Sequence, residues 1–152
     1  MKKLFTLNKL SNEFYIKYPN DKYPEIEYKP SRPYIVFIIK INDINFAIPF
    51  RTNLHHSYCY KFKNSNRNTD SFTGIDFTKC VVIKDPIYIG EPISIDDKEY
   101  VELMNKYYLI IKKFKAYVSG YIKFTNNEGN EFDSKKYKFT TLKYFHNELN
   151  IR

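Results

Sequence analysis

The sequence predicts an α+β fold with a mainly antiparallel sheet. In the first half of the chain, β-branched and aromatic residues form short runs separated by turn residues, which is typical of strands. After Asp96 the apolar period changes from two to 3.6 residues, which is typical of helices. The chain has 152 residues, 43% of them hydrophobic, so it can bury a core, and we expect one domain over residues 1–152.

The chain is predicted to begin with a short helix and a proline-rich arm. The helix is expected around Ser11 to Lys17. The segment from Tyr18 to Tyr34 is expected to be extended and rich in turns, because proline fixes φ and cannot donate a backbone hydrogen bond. Its prolines are Pro19, Pro24, Pro30 and Pro33.

A β-hairpin and two further strands are predicted next. The run Tyr34 to Ile41, the pair Asn42-Asp43 and the run Ile44 to Pro49 have the pattern of two strands joined by a two-residue turn. Further strands are expected at Tyr58 to Phe62, where apolar residues alternate, and at Lys79 to Ile83, a compact apolar run.

The second half of the chain is predicted to contain one long helix. Asp96 and Glu99 have the spacing of a capping box, so a helix is expected from about Asp97 to at least Lys115. A short terminal helix is expected after Thr140. The apolar stripe of the long helix comprises Val101, Met104, Tyr108, Ile111 and Val118, with Lys115 in register.

The charge of the chain favours a polyanionic partner. With 25 Lys+Arg against 17 Asp+Glu the formal net charge is +8, which points to nucleic acid or anionic lipid. No apolar run reaches the ~20 residues that span a bilayer, and no secretory signal is recognised, so we expect a cytoplasmic protein that does not engage a membrane. The two cysteines have no CxxC spacing and are expected to be reduced.

The segment 44–69 contains no acidic residue and is the strongest candidate for an RNA contact. Cations that meet phosphates, interleaved with rings that stack on bases, are what single-stranded nucleic acid requires. The alternating rings could equally line one buried face of a sheet, and the sequence leaves that alternative open. Lys79 and Lys112, which lie in later segments, are further candidates for phosphate contacts. The candidates are Asn53, Tyr58, Tyr60, Lys61, Lys63, Arg67, Lys79 and Lys112.

His55, His56 and Cys59 invite a zinc interpretation, but their spacing argues against it. Structural zinc needs paired ligands, and only Cys80 and His146 remain to complete a set. Two-metal nuclease chemistry needs clustered carboxylates, which this segment lacks. We therefore expect no metal and no cofactor. RNA can be cut without metal when one group accepts the proton of the 2′-hydroxyl, cations stabilise the phosphorane and an acid protonates the leaving 5′-oxygen. The alternative is a pair of turn histidines without function.

Four blocks of the sequence carry a resemblance to a known family: Lys29 to Tyr34, Phe46 to His56, Tyr58 to Lys63 and Gly74 to Lys79. Together with the order of the elements, they resemble the toxins of type III toxin–antitoxin systems, specifically the ToxN/AbiQ family and its TenpN-like branch. The resemblance implies a twisted, mainly antiparallel sheet with a small barrel-like core and flanking helices. It also implies an endoribonuclease inhibited by a repetitive, pseudoknot-like antitoxin RNA, cellular or phage RNA as substrate, and a role in abortive infection and phage defence.

The resemblance also implies roles for individual residues. Arg32 and Arg51 would hold the scissile phosphate, and Thr52 would hydrogen-bond a non-bridging or 2′-oxygen. The reaction would be a metal-independent transesterification that leaves a 2′,3′-cyclic phosphate and a 5′-hydroxyl, with the inhibitory RNA joining several protomers in a closed assembly. The alternatives are a non-catalytic single-stranded RNA-binding protein and, ranked last, a protein that adheres to anionic membrane. In the endoribonuclease, His55 or His56 would move protons, and Asn53 would orient one of these two histidines.

Overall fold

The structure, a computed structural model, describes residues 5–26, 28, 35–68, 71–126 and 131–151, with only the backbone described for 131–133. Within these ranges the chain forms seven strands and four α-helices. The strands are β1 Thr6–Leu10, β2 Ile35–Ile41, β3 Ile44–Leu54, β4 Cys59–Lys61, β5 Phe72–Asp76, β6 Val81–Ile83 and β7 Ile89–Pro92. The helices are α1 Asn12–Lys17, α2 Asp97–Asn105, α3 Tyr107–Thr125 and α4 Glu131–Lys136.

All strand pairs are antiparallel, and the strand order is β4-β5-β3-β2-β1-β7, with β6 paired to β3 beside β5. The α+β class and the antiparallel sheet predicted from the sequence are confirmed. The barrel-like closure is wrong: over the described residues β4 and β7 lie at opposite edges and do not pair, so the sheet stays open.

The predicted hairpin of β2 and β3 is confirmed. Asn42 and Asp43 form its turn with φ of 51° and 65°, the left-handed values that a two-residue hairpin turn requires. Strand β3 continues past the predicted end at Pro49 as far as Leu54. This extension changes neighbours, because Asn45 to Ala47 pair with β6 whereas Phe50 onward pairs with β5.

The long predicted helix is two helices, α2 and α3, separated at Lys106. Lys106 has φ of −107° and ψ of 12°, so it closes α2 without continuing its helical path. The predicted apolar stripe runs straight across this break, and the part of it up to Tyr108 is wrong. Val101, Met104 and Tyr108 are exposed, and α2 instead turns inward Glu99, Glu102 and Leu103.

Helix α3 covers one face of the sheet through Ile110, Phe114, Tyr117 and Tyr121, all of which are buried. The ring of Phe114 meets Phe46 of β3 and Phe77 edge-on, at centroid distances of 5.1 and 5.5 Å. Such edge-to-face pairs add to the free energy gained by burying the rings. The contacts fix α3 over the strand whose far end carries the candidate site.

The remaining sequence predictions have mixed outcomes. Helix α1 is confirmed, and Ser11 accepts the backbone N–H of Phe14 as its N-cap. The strands expected at 58–62 and 79–83 are present but shorter. The terminal helix is a single 3₁₀ turn, Thr141–Tyr144, capped by Thr140. Strands β1, β5 and β7 and helix α4 were not predicted. Of the proline-rich arm, residues 27 and 29–34 lie outside the described residues.

Among the described residues, no helix combines the length and apolar character needed to cross a membrane.

Candidate nucleic-acid interface

The end of β3 presents Thr52 and Asn53 to solvent. The pairing of β3 with β5 is regular at Arg51 opposite Gly74 but becomes irregular between there and Leu54. Asn53 has φ of 57°, a left-handed conformation that asparagine adopts more readily than most residues. Its side-chain oxygen accepts the hydroxyl of Ser71, which holds the irregular segment against the start of β5. Thr52 and Asn53 are both exposed as a result.

Gly74 lets three strands approach closely beneath the site. It lies opposite Arg51 of β3 on one side and opposite Lys61 of β4 on the other. A Cβ atom at this position would lie 2.0 Å from the backbone oxygen of Tyr60, so any side chain would force the strands apart. Directly opposite residues share a face of an antiparallel sheet. The side chains of Arg51 and Lys61 therefore flank a position where no side chain stands.

Asp76, at the end of β5, is the fully buried centre of the site. Its Oδ2 accepts a hydrogen bond from Nη1 of Arg51 at 2.8 Å, and its Oδ1 lies 3.2 Å from Nε2 of His56. Oδ1 also accepts the hydroxyl and the backbone N–H of Thr78, at 2.6 and 3.0 Å, because Asp76 caps the 3₁₀ turn Phe77–Lys79. The sequence analysis did not select Asp76.

These contacts set the ionisation of Asp76. Burial by itself would raise its pKa, but the contacts with His56, Thr78 and Arg51 outweigh burial and lower the pKa below its ordinary value. Asp76 is therefore a carboxylate at neutral pH. It fixes both cationic side chains in place.

His56 experiences two contacts that favour different protonation states. Nε2 faces the Asp76 carboxylate, which raises the pKa of His56 to about 9. Nδ1 accepts the backbone N–H of Tyr58 at 3.0 Å, which requires a ring without a proton on that nitrogen. In the structure the ring proton therefore lies on Nε2, toward Asp76, and uptake of a second proton on Nδ1, which the raised pKa favours, gives up the Tyr58 contact.

His55 lies beside His56 in the chain but in a different environment. It follows directly after the end of β3, and its side chain is exposed. The two predicted histidines thus differ: His56 is held by Asp76 and Tyr58, whereas His55 faces solvent. Cys59, which is buried, donates its thiol to the backbone oxygen of His56 at 3.2 Å and further fixes this turn.

Lys136 of α4 reaches the same region, and the sequence analysis missed it. Its Nζ lies 5.6, 5.8 and 5.3 Å from the ring centroids of Tyr58, Tyr117 and Tyr137, within the range of cation–π attraction. Tyr58 in turn stacks on His56 at a centroid distance of 5.7 Å. In the sequence Lys136 is one of many lysines in helical segments. Its position next to the site depends on how α4 packs.

Tyr60 is not available to a base. Its side chain is 6% exposed, and its hydroxyl donates to Oε2 of Glu102 at 2.6 Å. Its ring meets Phe62, which is fully buried, at 5.7 Å. The prediction that Tyr60 stacks on RNA is therefore corrected: at Tyr60 and Phe62 the alternating rings line a buried face of the sheet.

Arg67 and the backbone of Lys63 belong to a loop held by helix α2. Arg67 donates through Nε and Nη2 to the two carboxylate oxygens of Glu99, each at 2.8 Å, and Glu99 is fully buried. Glu102 accepts the backbone N–H groups of Lys63 and Asn64. In this arrangement the guanidinium of Arg67 is committed to a carboxylate, and these contacts tie residues 63–67 to α2.

The other predicted contacts are scattered around the molecule. Lys61 places its Nζ 5.7 Å from the ring centroid of Phe72, on the face that carries Arg51. Lys79 donates to the backbone oxygen of Phe139. Lys112 is exposed on α3. Arg32 lies outside the described residues.

Among the described residues, no group of three or more His, Cys, Asp or Glu side chains is placed so that it could hold a metal ion. A depression of about 340 Å³ opens at α2, between Lys63, Val101 and Lys106. It does not include Arg51, Thr52 or either histidine of the site.

Comparison with known proteins adds a structural relative. No family model matches the sequence, and no curated protein does. The chain is similar to one from a solved bacterial type III toxin–antitoxin structure, described as showing selective toxin inhibition by a non-coding RNA pseudoknot, with a TM-score of 0.55. The alignment covers 99% of this chain and 100% of that chain at 15% identity. The two chains share a fold. The resemblance predicted from the sequence is thereby confirmed at the level of the fold.

Proposed function

We propose that the protein is a metal-independent endoribonuclease toxin of a type III toxin–antitoxin system. The observation that carries the proposal is the convergence of Arg51 and His56 on the buried Asp76, beside the exposed Thr52 and Asn53. Arg51 and His56 therefore stand at fixed positions around one carboxylate, and both side chains can carry a positive charge. A phosphate binds favourably beside cationic groups that are held in place.

Each residue has a defined role in this proposal. Arg51, together with Arg32, holds the scissile phosphate and stabilises the charge that grows on its oxygens, and Thr52 donates a hydrogen bond to one of them. The 2′-oxygen attacks phosphorus, the bond to the 5′-oxygen breaks, and a 2′,3′-cyclic phosphate and a 5′-hydroxyl result. His55, which faces solvent, accepts the proton of the 2′-hydroxyl, with Asn53 orienting it.

His56 has a supporting role in this scheme. Its Nε2 faces Asp76 and its Nδ1 faces the N–H of Tyr58, so in this arrangement neither nitrogen points toward solvent. Its charge adds to the field at the phosphate, and its ring supports Tyr58. The proton of the leaving 5′-oxygen comes from water or from protonated His55.

The inhibitor in this proposal is a repetitive, pseudoknot-like RNA that occupies the same groove. The support is the shared fold with a chain from a system in which a non-coding RNA pseudoknot inhibits a toxin. A product whose end remains on Arg51 would keep most ground-state contacts with no bond left to break. The lysine-rich surfaces of α3 and α4 allow one RNA to bridge two protomers in a closed assembly.

Brief induction in a bacterial host, followed by sequencing of RNA 5′ ends, tests the nuclease assignment. New 5′-hydroxyl ends with a shared sequence context and growth arrest are expected for the wild type, and neither for Arg51→Ala. Light scattering on protein co-expressed with the RNA encoded upstream tests the inhibitor. A protein–RNA assembly larger than a monomer is expected, with growth restored. A bare monomer with growth still arrested would reject the RNA inhibitor.

A non-catalytic RNA-binding protein is the second candidate, and one observation favours it. Both nitrogens of His56 are engaged, so within the described part of the site His55 alone offers an exposed imidazole for proton transfer. A binder would need only the positive field and exposed hydrogen-bonding groups. Induction of such a protein would not create new 5′-hydroxyl ends.

A further inference from the structure

We propose that Phe72 is a base-stacking residue that holds a nucleobase beside the phosphate at Arg51. The inference deepens the proposed function and rests on it in taking single-stranded RNA as the ligand. Phe72 lies outside the acid-free segment 44–69, and neither the sequence analysis nor the roles described above involve it.

Strand geometry places Phe72 on the face of the sheet that carries the site. Side chains alternate along a strand, so Phe72 shares its face with Gly74 and Asp76 of β5. Gly74 lies opposite Arg51 and opposite Lys61 on its two neighbouring strands. The proximity of Lys61 Nζ to the Phe72 ring, at 5.7 Å, agrees with this assignment.

The ring of Phe72 is open to solvent, unlike most phenylalanines of the sheet. Phe72 is 48% exposed, whereas Phe37, Phe46 and Phe50 of β2 and β3 are buried. Among the described residues, Lys61 alone places a cation against the ring and no other ring stacks on it, and a cation–π contact is worth little at an exposed site. Packing in the core therefore does not account for this side chain.

The surroundings of the ring fit a nucleobase and its phosphates. Lys61 stands over the ring and Arg51 lies on the adjacent strand, with the vacant side-chain position of Gly74 between them. Sheet-borne rings flanked by cations bind single-stranded RNA by stacking bases on the rings and pairing phosphates with the cations. Lys61 can exchange its ring contact for a phosphate when a base arrives. Every base has a face that can stack on the ring, so this site adds affinity and positions the RNA without selecting its sequence.

The test compares two probes that carry the same phosphates. One is a fluorescein-labelled single-stranded RNA about ten nucleotides long, with 2′-O-methyl groups that prevent attack by the 2′-oxygen. The other is an abasic ribose-phosphate oligomer of equal length. Binding is measured by fluorescence anisotropy at one fixed salt concentration, because affinity for phosphates depends on salt.

We expect Phe72→Ala to weaken binding of the base-containing probe about 10-fold, the effect of losing one base–aromatic stack. Binding of the abasic probe should be unchanged. Phe72→Tyr should bind both probes as the wild type does, which also guards against a misfolded alanine variant. Tyr108→Ala is the matched control, because Tyr108 is an exposed ring at the start of α3, in a helix rather than in β5. It should leave both affinities unchanged.

Equal affinity of wild type and Phe72→Ala for the base-containing probe would overturn the inference. So would an equal loss with both probes, since that would show a structural or electrostatic effect instead of stacking. A different outcome would reject the proposed function. A wild type that binds but never cuts unmodified RNA, while still showing the base-dependent loss on Phe72→Ala, would reject the nuclease and keep the stacking site.

Discussion

Buried carboxylates hold the basic segment 44–69 at two places, the Asp76 cluster and the Glu99 and Glu102 cluster. The two clusters differ in how many cationic side chains face each carboxylate. At the end of β3, the one carboxylate of Asp76 meets Arg51 and His56. Among the described residues, the two carboxylates of Glu99 and Glu102 at α2 meet one side-chain cation, Arg67, and otherwise backbone N–H groups and hydroxyls. Two described cationic side chains thus face one carboxylate at the first cluster, and one faces two at the second.

The difference shows that arginines of one sequence segment can have opposite tasks. Arg51 and Arg67 both form ion pairs with buried carboxylates, and both are partly exposed. Arg51 lies beside the exposed Thr52 and Asn53 and shares Asp76 with His56, whereas Arg67 binds Glu99 through two nitrogens next to a second buried carboxylate. We therefore propose that RNA binds at the Asp76 cluster and that the Glu99 and Glu102 cluster stabilises the fold.

The largest expected effect separates the two arginines by activity. Arg51→Ala removes a donor that acts on the developing charge, so cutting should fall by roughly 10²–10³-fold. Arg67→Ala should leave the cutting rate of the folded protein within about 3-fold, a bound set by loss of charge at a distance in salt. Cleavage of labelled RNA under single-turnover conditions measures both. Equal losses in the two variants would abolish the distinction between the clusters.

Asp76→Asn should also reduce cutting, by about 10-fold or more, because Arg51 and His56 lose the charge that positions them. The pKa of His56 should fall from about 9 toward its ordinary value in this variant. Titration of the imidazole by NMR measures that shift directly, independently of activity. An unchanged titration would mean that Asp76 does not hold His56.

The opposite ranking is expected for stability. Arg67→Ala leaves the buried carboxylate of Glu99 without its guanidinium partner, and Ser65 alone remains as a side-chain donor among the described residues. The free energy of unfolding should fall by about 1–3 kcal/mol, the cost of leaving a buried acceptor unsatisfied. Urea unfolding provides the measurement, with Lys98→Ala as a control for removing an exposed cation next to Glu99 in α2. A change no larger than that of the control would contradict the structural role.

The smallest effect is a pH dependence of stability at His56. Because the pKa is raised in the folded protein, the contribution of His56 is fully present below its unfolded pKa of about 6.5 and is lost as the pH rises through about 9. The difference in free energy of unfolding between wild type and His56→Gln should shrink between pH 6.5 and 9. A difference that stays constant across this range would show that His56 is not charged in the folded protein.

The sequence predicted the elements whose pattern is local. The hairpin of β2 and β3 was predictable because Asn42-Asp43 suits left-handed turn residues between two apolar runs. The break at Lys106 was not, since no proline or glycine marks it and the apolar stripe continues across it. Strand β5 was missed because Phe72 to Asp76 is short and contains Gly74, whose presence reflects the close approach of Tyr60.

The candidate site was predicted only in its local part. Arg51, Thr52, His55 and His56 lie within six residues of one acid-free segment, and their chemistry together with the family resemblance selected them. Asp76 joins them from another strand, and sequence spacing carries no signal for that pairing. A segment without acids can still meet acids in space, and for Arg67 this changes the predicted role.

The most direct test of the central claim is cleavage of RNA by purified protein in excess EDTA. We expect wild-type protein to cut without metal, to leave 2′,3′-cyclic phosphate and 5′-hydroxyl ends, and to lose this activity on Arg51→Ala but not on Arg67→Ala. The control is the same reaction on RNA with 2′-O-methyl groups, which should remain intact. Activity that EDTA abolishes and Mg²⁺ restores would contradict the account, as would full cleavage by the Arg51→Ala variant.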